Sequence, residues 1–265
     1  MIHPTAIIED GAQIAADVRI GPFCVVGANV VLAQGVELVS HVTISGRTRV
    51  GVGVQLFPFC TIGFAPQDLK YKGEDTETEI GARTQIREHG SINRGTVTGN
   101  GITRVGEDCL LMANVHVAHD CVVGNGAVIS NNVAMGGHVE IGDRAIIGGN
   151  AALLQFTRVG AGAMVGGLTG VTRDVIPYAR VFGPRAKLLG LNLVGLQRRG
   201  LGKAQLAELN AAYKFLFSGA GVFAERVAKA TSLYAQNPYI AEILAFIVTP
   251  SRHGILTNQA GEAGT

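Results

Sequence analysis

From Ile2 to Ile62 an aliphatic residue returns at every sixth position: Ile2, Ile8, Ile14, Ile20, Val26, Leu32, Leu38, Ile44, Val50, Leu56 and Ile62. A second block with the same period runs Val105, Leu111, Val117, Val123, Ile129, Met135, Ile141, Ile147, Leu153, Val159, Val165 and Val171. A helix repeats at 3.6 and a strand at 2, so a strict six reports something else. A unit this short cannot close its own core and must bury its apolar face on the next unit. The pattern predicts a mainly β fold, a parallel β-solenoid with one flat side per hexad and three hexads per coil. Residues 18 apart then stack in columns, with coils about 4.8 Å apart. Glycine recurs at the second hexad position (Gly21, Gly27, Gly51, Gly81, Gly106, Gly124, Gly142), where a corner is expected to need backbone freedom.

Two segments interrupt the period. Residues 63–79 form the first, after which the pattern returns at Ile80, Ile86 and Ile92. Residues 93–104 form the second and slip the phase by one residue, since Ile92 and Val105 lie 13 apart. Both are polar and contain glycine, and they predict loops thrown out from a rigid prism, where function concentrates. The hexads stop near Val175–Pro177. From about Asn192 the spacing becomes helical, with helices expected over Ala204–Phe217 and Val222–Ala235, and a third entered through Asn237-Pro238 into Ala241–Val248. The expected organisation is a hexapeptide-repeat domain over 1–190 and an α-helical domain over 191–265. The helices would also cover the strand edges left at the solenoid end.

Composition narrows the function classes. A net charge of +2 carries no general nucleic-acid footprint. The N-terminus lacks a basic, then apolar, export signal, and no apolar run approaches the roughly 20 residues of a membrane span. A soluble cytoplasmic protein is expected. Cys24, Cys60, Cys109 and Cys121 all fall on the fifth hexad position, which elsewhere holds Val18, Val30, Val36 and Val54. They are expected as small core side chains and not as a disulfide or metal set.

The densest polar cluster is His116, His119, Asp120, His138 and Gln155. Asp120 and His138 are 18 apart and share a column, and all five are expected on outward-facing positions. A histidine beside an acid and a second histidine on a rigid wall suits general-base work near neutral pH. By residue type alone, a solvated surface and a metal site stay open.

The strings LLMANVHVAHDC at 110–121, GHVEIGD at 137–143, QDLKYKGE at 67–74, INRGTV at 92–97 and GLNLVGLQRRG at 190–200 resemble the UDP-N-acetylglucosamine O-acyltransferases, which carry out the first step of lipid A synthesis. The resemblance spans essentially the whole chain. It implies a left-handed parallel β-helix followed by helices, assembled as a homotrimer with sites between prisms. It implies transfer of a (3R)-3-hydroxyacyl group from acyl carrier protein to the 3-hydroxyl of UDP-GlcNAc, with no metal and no cofactor, because the thioester is already activated. His119 matches the general base, Asp120 its orienting acid and the Gly137 N–H the oxyanion donor. Asp68, Lys70, His116, His138, Gln155, Asn192 and Arg198 match positions around the sugar nucleotide, and Gly167 the position that limits acyl-chain length. Leu154, Val194 and Asn93 stand where the family usually has His, Glu and His. These departures leave the base in place and keep open a related acceptor, a 3-amino UDP-sugar, or a specialised paralogue.

Overall fold

The computed structural model describes residues 1–257, so residues 258–265 of the expected helical segment lie outside the described residues. Residues 7–171 wind as a three-sided prism. Its first face holds nine strands, from Ile7–Ile8 to Gly170–Val171, and its second holds eight, from Gln13–Ile14 to Arg158–Val159. The third face holds ten, from Arg19–Ile20 to Lys187–Leu191. Pairing between coils is parallel, with registers such as Ile7↔Val25 and Val128↔Ile146 that fix the repeat at 18 residues. Across the first interruption the partners become Ile62↔Ile92 and Val50↔Ile80, and across the second Ile80↔Val105. Each coil absorbs its insertion, and the aliphatic positions still meet.

The first hexad position forms the core: Val26, Leu56, Ile62, Ile129 and Ile147 are fully buried. Ile2, Ile8 and Ile14 differ, being exposed or half-buried, because among the described residues they belong to the first coil and are covered on one side only. The four cysteines are free and buried, and burial pushes the Cys60 and Cys121 thiols up to about 12.

The corners revise the expectation about glycine. Positive φ falls on the fourth hexad position and on ordinary residues, including Phe23 at 58°, Asp120 at 58°, His138 at 61° and Phe156 at 65°. The fourth-position N–H donates to the third-position carbonyl one coil below, as His138 does to His119 (3.0 Å) and Phe156 to Gly137 (3.0 Å). That bond offsets part of the roughly 1–2 kcal/mol cost of left-handed backbone. Second-position glycines answer a different need: a Cβ on Gly81 would lie 2.4 Å from the Gly106 carbonyl carbon in the next coil. They permit close approach of successive coils.

Ala179–Phe182 pairs antiparallel with Lys187–Leu191, and this hairpin ends the third face. Among the described residues four helices follow: α1 (Leu193–Arg198), α2 (Lys203–Ser218), α3 (Phe223–Leu233) and α4 (Pro238–Val248). Asn192 caps α1 by accepting the Gly195 N–H, and Asn237 caps α4 by accepting from Tyr239 and Ile240, as an Asn before a helix should. The chain then turns back. Pro250–Leu256 returns to the prism, where Ile255 bridges to Asp174 in parallel and the Leu256 N–H donates to the Asp174 carbonyl (2.7 Å).

Candidate active site

Both insertions leave the same edge of the prism, the one between the first and second faces. Residues 65–76 connect Thr61–Phe64 to Glu77–Ile80, and residues 94–101 connect Ser91–Asn93 to Ile102–Val105. Strand pairing thus extends into both spans expected as loops. His119 and Asp120 occupy this edge one coil on, Gly137 and His138 the coil after, and Gln155 and Phe156 the third. Asp68 and Lys70 lie in the first inserted loop, with the Lys70 N–H donating to Asp68 Oδ1 (2.9 Å). His116 lies on the first face beside this edge, its Nδ1 2.8 Å from Ser91 Oγ.

Asp120 departs from the outward-facing expectation: it is only 1 % exposed. The left-handed corner turns the carboxylate under the 94–101 loop. Its oxygens accept the Thr96 N–H (3.1 Å), the Thr96 hydroxyl (2.7 Å) and the Asn100 N–H (2.9 Å). Thr103, brought inward by the lengthened strand, accepts the Asp120 N–H (2.8 Å). Burial alone would raise the carboxyl pKa. The bonds from Thr96 and His119 and the nearby His138 charge more than offset it, holding the group below its ordinary value.

His119 Nδ1 lies 2.8 Å from Asp120 Oδ2. Against a carboxylate, Nδ1 carries the proton, which leaves Nε2 as a lone-pair acceptor. His138 meets His119 edge-on at 5.1 Å, and Phe156 stacks on His138 at 4.3 Å and 10°. Burial, first, with a smaller contribution from the Arg252 charge, holds His138 below the usual imidazole range, and burial does the same for His116. Gly137 packs against the His119 ring: a Cβ there would sit 2.5 Å from Cε1 and Nε2. Among the described residues its N–H has no acceptor, so a free donor stands beside the imidazole. His119, Asp120 and His138 could gather around a metal ion, but the Asp120 oxygens are already engaged by four donors.

Three of the sequence-derived candidates lie elsewhere. Asn192 is bonded to the Gly162 carbonyl (3.1 Å), on the edge between the second and third faces, and Arg198 ends α1 beside it. Gly167 lies on the edge between the third and first faces, in the turn from Met164–Val165 to Gly170–Val171. One chain therefore spreads the candidates over all three edges. Leu154 is 42 % exposed on the first edge. Buried Asn93 ties the two inserted loops together, donating from Nδ2 to the Ala65 carbonyl (3.1 Å).

Sequence reasoning missed Thr96, Asn100 and Thr103 around Asp120, and Phe156 above His138. Phe156 was within reach, since it stands 18 residues after His138 in the same column.

A hexapeptide prism with a histidine–carboxylate pair and an unpaired backbone donor on one edge defines the class of hexapeptide-repeat acyl transferases. A profile described as bacterial transferase hexapeptide (six repeats) matches residues 102–137, and one described as UDP-N-acetylglucosamine O-acyltransferase, domain 2, matches residues 174–256. The acyl-[acyl-carrier-protein]–UDP-N-acetylglucosamine O-acyltransferase of Azorhizobium caulinodans is 53% identical over 93% of this chain and 91% of its own. That of Thermodesulfovibrio yellowstonii is 47% identical over 95% and 97%. The crystal structure of the Moraxella catarrhalis UDP-N-acetylglucosamine O-acyltransferase superposes with a TM-score of 0.94 at 43% identity, covering 96% of this chain and 99% of that one. The chain belongs to the UDP-N-acetylglucosamine O-acyltransferase family, and its prism is the left-handed parallel β-helix of that family.

Proposed function

We propose that this chain transfers a (3R)-3-hydroxyacyl group from acyl carrier protein to the 3-hydroxyl of UDP-N-acetylglucosamine, in lipid A biosynthesis. The observation that carries the chemistry is the His119–Asp120 pair, 2.8 Å apart, beside the free Gly137 N–H. His119 Nε2 takes the proton of the sugar hydroxyl as that oxygen attacks the thioester carbonyl. Asp120 orients the ring and favours the imidazolium. The Gly137 N–H donates to the oxyanion of the tetrahedral intermediate. Collapse breaks the C–S bond, and the leaving thiolate takes the proton back from His119. The activated thioester makes this a reaction without metal or redox cofactor. Asp68, Lys70, His116, His138 and Gln155 line the sugar-nucleotide side.

The spread of candidates over three edges supports a homotrimer. A threefold arrangement sets the first edge of one copy against other edges of its neighbour, so that Gly167, Asn192 and Arg198 complete the neighbour's site. The edge that carries Gly167 also carries a stacked ladder of Phe23, His41, Phe59 and His89, in which Phe23 is 57 % and Phe59 50 % exposed. A second copy would cover that apolar strip. No helix among the described residues is long and apolar enough to cross a membrane, which fits a cytoplasmic site of action.

The test is turnover by the purified chain with a panel of 3-hydroxyacyl carrier proteins and UDP-GlcNAc, alongside His119→Ala. Turnover at a preferred chain length, reduced by about 10²–10⁴-fold in the variant, is expected. Absence of turnover with every chain length overturns the acceptor assignment. Because Leu154 brings no donor to the first edge, a UDP-sugar bearing a 3-amino group is the comparison acceptor.

A further inference from the structure

We propose that Arg252, delivered by the returning C-terminal segment, is a positioning residue for the histidine pair on the first edge. The inference rests on the reaction proposed above for the role of His119, but its geometry is independent of the substrate. The Arg252 guanidinium carbon lies 3.8 Å from the centre of the Phe156 ring. Phe156 stacks on His138, and His138 meets His119. A chain of ring contacts thus runs from a cation through an aromatic plate and one imidazole to the base. A guanidinium on an aromatic face gains from the ring quadrupole, and it pins a ring that would otherwise be free on its outer side.

The segment that brings Arg252 is itself fixed at several points. The His253 Nε2 lies 2.9 Å from the Gln155 carbonyl oxygen. The Asp174 N–H donates to the Gly254 carbonyl (3.0 Å), and Ser251 Oγ accepts the Gly254 N–H (2.9 Å). Asp174 is fully buried and holds Arg158, Nε to Oδ2, at 2.6 Å. Between the segment and the column lies a cavity of about 240 Å³, bordered by Asp120, His138, Phe156, Arg158 and Arg252. A segment anchored only for stability could end its contacts at Asp174. This one continues across the edge and places a charge on the stack.

The charge has a direction. His138 is faced by Asp120 at 3.8 Å and by His119, with Asp68 from the first inserted loop, Arg252 from the returning segment, and Glu140 and Arg158 across the cavity. Asp120 and Asp68 favour the imidazolium, whereas Arg252 and His119 oppose it. Removing the Arg252 charge therefore raises the His138 pKa. A neutral His138 leaves Asp120 to a single imidazole, that of His119.

The test uses the full chain with Arg252→Ala, Arg252→Met and Arg252→Lys. The His138 imidazole is titrated by NMR, its signal assigned with His138→Gln, and kcat and KM are measured against pH. A unit charge about 8 Å away in a water-like medium moves a midpoint by roughly 0.4 pH unit. Arg252→Ala and Arg252→Met should raise the His138 midpoint by about that amount, lower kcat more than they raise KM, and move the acid limb of kcat upward. Arg252→Lys should restore the parental midpoint. A His138 midpoint unchanged in Arg252→Ala overturns the proposal, as does an equal shift in Arg252→Lys. The titration needs no turnover, so it stands apart from any failure of the parent protein to use the assigned substrates.

Discussion

Gly137→Ala isolates the placement of the base from every other feature of the site. Gly137 does not have positive φ, so alanine introduces no backbone strain, and the N–H assigned to the oxyanion is retained. The added methyl carbon would lie 2.5 Å from His119 Cε1 and Nε2. Carbon contacts settle near 3.5–4.0 Å, so the ring must retreat by about 1 Å. Its Nδ1 is held by Asp120 at 2.8 Å and its flank meets His138, so retreat means rotation away from the acceptor position or loss of the carboxylate. A displacement of about 1 Å of a reacting group costs roughly 10²-fold, equivalent to about 2.7 kcal/mol in the barrier.

Folding should change little, because the His119 side chain is partly exposed and can swing outward. The expected result is a kcat/KM about 100-fold below the parent, with Tm nearly unchanged. In a His119→Ala background the same substitution should do almost nothing, because the ring it strikes is gone. A Gly137→Ala enzyme within about three-fold of the parent in kcat/KM would refute the contact as a constraint on the base.

Thr96→Val removes the hydroxyl donor to the buried Asp120 carboxylate; a lost bond to a charged group costs about 1.5–3 kcal/mol, read as a lower Tm. Asp120 is held below its unfolded pKa, so its stabilisation is present above about pH 3.9 and lost as pH falls through the folded value; in Thr96→Val the acid loss should begin at higher pH. His138 and His116 are both held down by burial, so below about pH 6.5 the unfolded chain binds more protons and stability falls with falling pH. Tm measured from neutral to mildly acidic pH should show that slope, and His138→Gln with His116→Gln should flatten it. Asp174→Ala keeps the backbone bonds to the returning segment but strands the Arg158 guanidinium; breaking such a pair costs about 3–5 kcal/mol, read as a lower Tm, and an unchanged Tm would count against the pair.

The solenoid was legible because its period is enforced at every coil. Leu56 or Ile129 displaced by one position would face water, so the sequence carries the register openly. The reason for its glycines was not legible: Gly81 reads the same whether it serves a positive φ or a close approach, and only the neighbouring Gly106 backbone decides. Column arithmetic paired Asp120 with His138, yet it placed Asp120 on the surface. The arithmetic knows the edge and not the loop, and the donors of Thr96 and Asn100 come from an insertion whose path no period predicts. Arg252 was further out of reach. Its contact with Phe156 spans the helices between them, and nothing local to either residue marks it.

A prism filled by aliphatic side chains leaves its chemistry to corner residues that radiate outward along three separate edges. In one chain His119 and Arg198 stand on different edges. If Arg198 serves catalysis from the neighbouring copy, the two residues belong to different subunits at every site. Mixing His119→Ala chains with Arg198→Ala chains, then dissociating and reassembling them, makes this measurable. In a cyclic assembly each site takes its first edge from one copy and its Arg198 from the next. In a random equal mixture, the chance that the first copy keeps His119 and the next keeps Arg198 is about one in four. Activity should therefore rise from the low level of either variant to about a quarter of the parent. Recovery no higher than the average of the two variants would mean that both residues act within one chain, and the division of the site between edges of neighbouring copies would fall with it.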